Sequence, residues 1–418
     1  MAIPVILLAA VHTLTLAEAA RRALAENPDV VLARLDEQSA AQRVTLARDP
    51  FVPKVFAGSG LAYSHGFPMS IDGAAPSVVQ ARAVASVYNR QQRLQIEQAR
   101  EEARGAGFAS RTRSQQAVAR TVQLFLEAEH KELAAGAARR QIESSRKVAA
   151  IVDLRVAEGR EIPLESKRAA LEAARAEQRL GILESDRDAA QAMLAVVLGY
   201  PDGDRVRPAG EQRAAADLPL AEEDAIARAL ADHPELRRLE SALAAKNLEM
   251  RAHAASRYPR FDLVAQYGLL ARFNNYEDFF RRFQRHNGQI GVSAQIPILA
   301  GPASRALASQ AGIEAARLRI EVSRVRAQVR MDIEKGFREL RKAETARKVA
   351  RLDLDVAREA LSVHLARMEE GRSTLRQVEE ARIGEQEKWM VYYDAQYQVE
   401  SARWALLERA GGIMAALQ

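Results

Sequence analysis

Two periodicities alternate along this chain. From about Arg90 to Arg155, and again from about Ala303 to Arg367, apolar and small residues recur at helical spacing among charges. That pattern predicts two very long helices, each on the order of 100 Å at 1.5 Å per residue. A glycine-marked turn follows each, at Gly159 and Gly371, and return helices then run to Leu198 and Arg409. Gly199-Tyr200-Pro201 and Gly411-Gly412 are the stop signals there. Within the first helical hairpin, Ala134, Ala135, Ala137 and Ala138 are expected to sit against Ala169, Ala170, Ala173 and Ala174 and permit close packing.

Between the helical tracts the period drops to two. Phe261, Leu263, Ala265, Tyr267, Leu269, Ala271 and Phe273 alternate with Asp262, Val264, Gln266, Gly268, Leu270 and Arg272. Ile290, Val292, Ala294 and Ile296 alternate with Gly291, Ser293 and Gln295. In the first half, Val55, Ala57, Leu61 and Tyr63 alternate with Phe56, Gly58, Gly60 and Ala62, and Val79 to Val87 alternates with Gln80, Arg82, Val84 and Ser86. One face is apolar and the other small or polar, over strands of about ten residues, which suits a membrane barrel with lipid outside and water inside. A soluble sandwich produces the same alternation. If these strands meet lipid, however, four cannot close a barrel, and an open lipid-exposed edge is not tolerated, so several chains must share one.

The chain is written twice. Leu14, Ala19, Arg22, Ala23, Leu24, Ala25 and Pro28 recur 206 residues on as Leu220, Ala225, Arg228, Ala229, Leu230, Ala231 and Pro234, and Pro53 recurs as Pro259. The heptapeptide from Arg155, RVAEGRE, is echoed by RMEEGRS from Arg367, at an offset of 212. Matches in the same order mark a tandem duplication. The expected organisation is residues 1–13 as a clipped signal sequence or an N-terminal extension, a first repeat over 14–210, and a second over 211–418. The first repeat has strands at about 51–65 and 78–88 and a tip near Gly159. The second has strands at about 260–273 and 289–298 and a tip near Gly371.

Composition narrows the chemistry. Aromatic residues are only 5% against 28% charged, which favours long packed helices over a compact catalytic core. Cysteine is absent, which removes disulfides and thiolate chemistry. A net charge of +6, spread over 418 residues with signs intermixed, gives no nucleic-acid footprint. The seven histidines show no metal-ligand spacing, and the G-x-G of Gly58 to Gly60 lies inside a strand pattern. No catalytic set, cofactor site or metal site is expected. No stretch is long and apolar enough for a membrane-spanning helix, which leaves a β-barrel open.

The helix, hairpin and long helical hairpin, twice over, resemble the TolC-type outer-membrane efflux family. LTLAEAARRALAENP from Leu14 and ALADHPEL from Ala229 resemble that family's opening signature and its second copy. VSAQIPILAGPASRALASQA from Val292 resembles its strand-to-helix junction, usually Pro-Leu-Phe-Asp-Gly-Gly, here Pro297, Ile298, Leu299, Ala300, Gly301. The first-half junction, Val87 to Arg90, is more degenerate. MLAVVLGYP from Met193 and ALLERAGGI from Ala405 resemble the ends of the return helices.

The resemblance implies a mainly α fold with a small β portion. Duplicated hairpins would form an α-barrel, and four strands per chain would join a shared twelve-stranded barrel in a homotrimer. It implies an outer-membrane channel whose tunnel lies in the periplasm, which passively conducts substrate delivered through a periplasmic adaptor from an inner-membrane transporter, and which, lacking cysteine, is held by its barrel alone. The competing reading of the residues is a soluble periplasmic coiled-coil adaptor or structural protein.

The same resemblance places Arg155, Glu158, Gly159 and Arg160, with Arg367, Glu370, Gly371 and Arg372, at periplasmic tips that contact the adaptor. The family's constricting aspartates fall six and nine positions after the second glycine, where this chain has Gln377 and Glu380. Glu380, with Glu379 beside it, then forms either a carboxylate ring favouring cations or a solvated helix face. Gln80, Arg82, Asp262, Gln266 and Arg272 are expected to face the barrel lumen. The segment from Arg272 to Gly288 is either a cover for the extracellular mouth or an aromatic belt.

Overall fold

The computed structural model of the protein describes residues 10–60, 77–210, 221–270, 284–298 and 301–417. Eight α-helices and six strands lie among them: β1 (Val11–Leu14), α1 (Leu16–Glu26), α2 (Pro28–Arg48), β2 (Lys54–Gly60), β3 (Ser77–Asn89), α3 (Arg90–Ala157), α4 (Pro163–Val197), β4 (Arg205–Pro208), α5 (Glu222–Asp232), α6 (Pro234–Ala254), β5 (Arg260–Leu270), β6 (His286–Gln295), α7 (Ala303–Glu369) and α8 (Leu375–Arg409). The first repeated block recurs residue for residue: α1 and α5, α2 and α6, and β2 and β5 all begin 206 residues apart. The helices of the two long hairpins end 212 apart.

The chain divides into two compact units. One holds residues 1–34, 109–236 and 325–418. In it, Leu16, Ala19 and Ala23 of α1 pack with Val118, Val122 and Phe125 of α3, Leu194 of α4 and Leu198 at its C-cap, and Trp404 of α8. The corresponding cluster of the second half sets Ala225, Ile226 and Ala229 of α5 against Val329, Ile333 and Leu340 of α7 and Leu406 of α8. The alanines shared by the two sequence signatures, Ala19/Ala225 and Ala23/Ala229, are thus the residues on which a short helix meets a long one. All four are essentially buried, and small side chains let the helix backbones approach closely at native packing density.

Asn27 separates α1 from α2. It is buried, its amide donates to the Val197 carbonyl at 2.9 Å, and its side-chain oxygen accepts from Asp29 N at 3.0 Å, so the proline-initiated helix starts on a satisfied cap.

In the first hairpin, Arg139–Glu184 (2.6 Å), Arg146–Glu177 (2.6 Å) and Lys131–Asp186 (3.0 Å) fix the antiparallel register of α3 on α4. This register corrects the expected alanine contact. Ala134, Ala135 and Ala138 are buried, but they lie at the level of residues near Asp188, while Ala170 and Ala174 sit nearer the tip and are exposed. Composition identified both small-residue stretches; the number of residues in the turn, which sets the register, did not enter that expectation.

Of the expected N-terminal segment 1–13, residues 1–9 lie outside the described residues, and Val11–Thr13 belong to β1, which pairs in parallel with β4 from Val11↔Arg205 to Leu14↔Pro208. Asp204 fastens this ribbon by accepting from Ala10 N at 2.8 Å and meeting His12 Nε2 at 3.0 Å. The Ala10 amide foremost, then His12, holds its carboxyl below the usual range. His12 stacks on Tyr200 at 4.2 Å, and the Arg22 guanidinium lies 3.7 Å from the centroid of the same tyrosine ring. Four residues paired with a strand so distant in sequence leave no periodic signal.

The other unit holds residues 35–108 and 237–324. Lys246 of α6 joins Glu314 of α7 at 2.6 Å and Glu249 at 2.8 Å. Its sheet has the order β2-β3-β5-β6, antiparallel throughout. The strand at 51–65 starts later than expected, at Lys54, because Asp49–Phe51 continues α2 as a 3₁₀ turn and Pro53 follows it. The strand at 289–298 is displaced the other way and spans His286–Gln295. Residues 61–65 and 271–273 of the expected strands lie outside the described residues.

Candidate functional site

The sheet sorts its side chains as the alternation requires. Rows across the four strands read Phe56–Arg82–Gln266–Gln289 and Gly58–Gln80–Gly268–Asn287 on one face, with Ser86–Asp262–Ser293 further along it. The opposite face reads Val55–Ala83–Ala265–Ile290, then Ala85–Leu263–Val292, then Phe261–Ala294. This apolar face is uncovered: Val55 is 72% exposed, Ile290 80% and Val292 65%. Strands β2 and β6 each have one strand neighbour, so both edges of the described sheet are open. Four of the five expected lumen residues, Gln80, Arg82, Asp262 and Gln266, therefore share one polar face. The fifth, Arg272, lies outside the described residues.

The two hairpin reversals are built alike. Arg160 N donates to Arg155 O at 2.9 Å and Gly159 N to Val156 O at 3.0 Å; Arg372 N donates to Arg367 O at 2.7 Å and Gly371 N to Met368 O at 3.0 Å. This closure of a helix end needs a left-handed residue, and Gly159 and Gly371 have φ of +71° and +70°. The arginine after each glycine folds back on the glutamate before it, Arg160–Glu158 at 3.1 Å and Arg372–Glu370 at 3.4 Å. All four side chains are more than half exposed, so these pairs contribute little to stability. Arg155 is half-buried and Arg367 exposed.

The return helices start differently. Pro163 opens α4 behind Ile162, which provides no side-chain cap. Thr374 caps α8 through a reciprocal box: Gln377 N donates to Thr374 Oγ1 at 3.3 Å, and Gln377 Oε1 accepts from Thr374 N at 2.9 Å and from Ser373 Oγ at 3.0 Å. The structure thus separates the three candidate constriction residues. Gln377 is turned back onto the cap. Glu380 is 61% exposed and bonded to Arg376 Nε at 2.9 Å. Glu380 chiefly, and Glu165 of α4 to a lesser degree, raise the guanidinium pKa of Arg376. The Glu379 side chain is only 19% exposed, and burial pushes its carboxyl up against the opposing effect of Arg382 at 3.8 Å.

A cluster that sequence reasoning missed joins α3 to α8: His130 Nε2 contacts Asp394 Oδ1 at 2.9 Å, and its ring stacks on Tyr397 at 4.9 Å. Nearby on α8, Trp389 stacks on Tyr393 at 5.4 Å under the Arg358 guanidinium, 4.4 Å away. The concentration of aromatics from Trp389 to Tyr397 was the available signal. Among the described residues no group of three or more histidines and carboxylates could hold a metal ion, and no described helix is long and apolar enough to cross a membrane.

Residues 19–200 and 225–412 match the family described as outer membrane efflux protein. The chain belongs to that family. This efflux protein resembles a membrane protein of Pseudomonas aeruginosa with a TM-score of 0.77 at 18% identity, over 95% of this chain and 90% of the other. It resembles the CmeC outer membrane channel of Campylobacter jejuni with a TM-score of 0.78 at 12% identity, over 95% and 86%. The outer membrane protein VceC of Vibrio cholerae gives 0.75 at 15% identity, over 95% and 96%. No curated protein sequence matches the efflux protein. At these identities the likeness fixes the fold: mainly α, with duplicated long hairpins and a small β portion.

Proposed function

We propose that this outer membrane efflux protein is a homotrimeric channel. Each chain contributes four strands to a twelve-stranded barrel in the outer membrane and its hairpins to a tunnel in the periplasm. The carrying observation is the four-stranded sheet with one uncovered apolar face, one polar face and two open edges. In lipid such edges must be paired, and copies of the same sheet can close them edge to edge. The structural repeats at 14–210 and 211–418 are the halves of one protomer.

In this reading the channel conducts passively and has no catalytic role. A periplasmic adaptor docks on the tips around Gly159 and Gly371, through Arg155, Arg160, Arg367 and Arg372 beside Glu158 and Glu370, and an inner-membrane transporter supplies the energy. The constriction lies near Glu379 and Glu380. The test is fractionation followed by gel analysis: a heat-modifiable trimer in the outer-membrane fraction, extracted only by detergent, supports the channel. A monomer released without detergent supports the soluble coiled-coil reading instead.

A further inference from the structure

The polar sheet face carries an unbalanced charge. Arg82 sits mid-face in a row whose other members, Phe56, Gln266 and Gln289, are all uncharged. The rows on either side offer no carboxylate. One is Gly58–Gln80–Gly268–Asn287; the other brings Lys54 beside Val84, Val264 and Gly291. Lys54 is itself paired with Asp49.

The one carboxylate among the paired residues of this face is Asp262, opposite Ser86. Ser86 is four residues from Arg82 along β3, roughly 13 Å at the rise of a strand. That exceeds the Debye length of about 10 Å at 0.1 M salt, and Asp262 already has Arg260 Nε 4.0 Å away. Arg82 is exposed and makes no ion pair with any described residue. Gln80, Gln266 and Gln289 surround it with carboxamides that hydrate a passing ion of either sign, so among the described residues around it the guanidinium is the charge that sets the local potential. The acidic residue expected to impose the opposite preference, Glu380, is bound to its own counter-charge, Arg376.

We infer that Arg82 weights permeation through the barrel toward anions. This rests on the channel reading, under which one Arg82 per chain makes a ring of guanidiniums at a single level of the lumen. Rings of arginine or lysine favour anion passage through local potential without binding the ion tightly enough to stop it.

The experiment is the reversal potential of the purified full-length protein in planar bilayers under a potassium chloride gradient. Arg82→Gln should lower the chloride-to-potassium permeability ratio by roughly twofold, Arg82→Glu should lower it further, and Arg82→Lys should keep the wild-type ratio. Comparison with the same parent holds the other charges along the pore constant. A conducting Arg82→Gln channel with the wild-type ratio overturns the inference while leaving the channel reading intact. A wild-type protein that forms no channel overturns the reading on which the inference rests.

Discussion

His130 Nε2 of α3 lies 2.9 Å from Asp394 Oδ1 of α8, a polar contact between the first helical hairpin and the second. Burial lowers the imidazole pKa, while Asp394 and Glu127 raise it and Lys131 adds to the lowering. A histidine whose folded pKa is below its unfolded value of 6.5 binds fewer protons folded than unfolded. Its contribution to stability is therefore complete above 6.5 and is lost as pH falls below it toward the folded pKa. His233, also lowered by burial, acts in the same direction. Thermal stability of the detergent-solubilised protein should fall from pH 7 to pH 5, and His130→Gln should flatten that dependence. An equally steep profile in the variant would show that His130 is not a source of it.

Gly159→Ala and Gly371→Ala each force a side chain into the left-handed region, at a cost of about 1–2 kcal/mol. The strain is local, so hydrogen exchange is the appropriate probe. The amides of Arg160 and Arg372, bonded to Arg155 and Arg367, should exchange roughly tenfold faster, while helix-centre amides stay unchanged.

Gln377 separates a structural role from a pore-lining one. Gln377→Glu preserves the capping box, since glutamate serves equally at that position, yet adds a negative charge. Stability should hold and ion preference should not change. Thr374→Ala removes the cap and should cost about 1 kcal/mol. A large shift in conductance for Gln377→Glu with unchanged melting would place the residue in the permeation path.

The Arg376–Glu380 pair makes a prediction for a double-mutant cycle. Glu380→Ala leaves the guanidinium uncompensated, so cation permeability should fall. Arg376→Ala should raise it, and the double variant should return near the wild type. A double variant as far from the wild type as Glu380→Ala would mean that Arg376 does not offset Glu380 along the ion path.

What could be read from the sequence depended on the range of the interaction. The strand faces were legible because alternation is local: Arg82 and Gln266 carry their side in the period of two, and pairing only confirmed that they share it. The tips at Gly159 and Gly371 were legible because a left-handed helix end nearly dictates its residue. The β1–β4 ribbon was not, because Val11 and Arg205 meet only in three dimensions. Nor was the register that leaves Ala170 and Ala174 exposed. The cap on Gln377 was not read either: analogy assigned it the position of a pore residue, and its contact with Thr374, three places earlier, was not sought.

The two copies also differ in where they tolerate change. Helices α4 and α8 both have 35 residues, and α3 and α7 have 68 and 67. The offset between copies nevertheless drifts from 206 at β2 and β5 to 213 at the starts of α3 and α7. One extra residue in a helix turns everything beyond it by about 100° and advances it 1.5 Å, which would carry Val122 or Ile333 out of its contact with the short helix. A residue added between strands displaces no such contact. Length variation in this protein is thus confined by the phase of its helices, and engineered insertions, labels or epitopes belong in the connections from β5 to β6 and from β6 to α7 rather than anywhere along the hairpins.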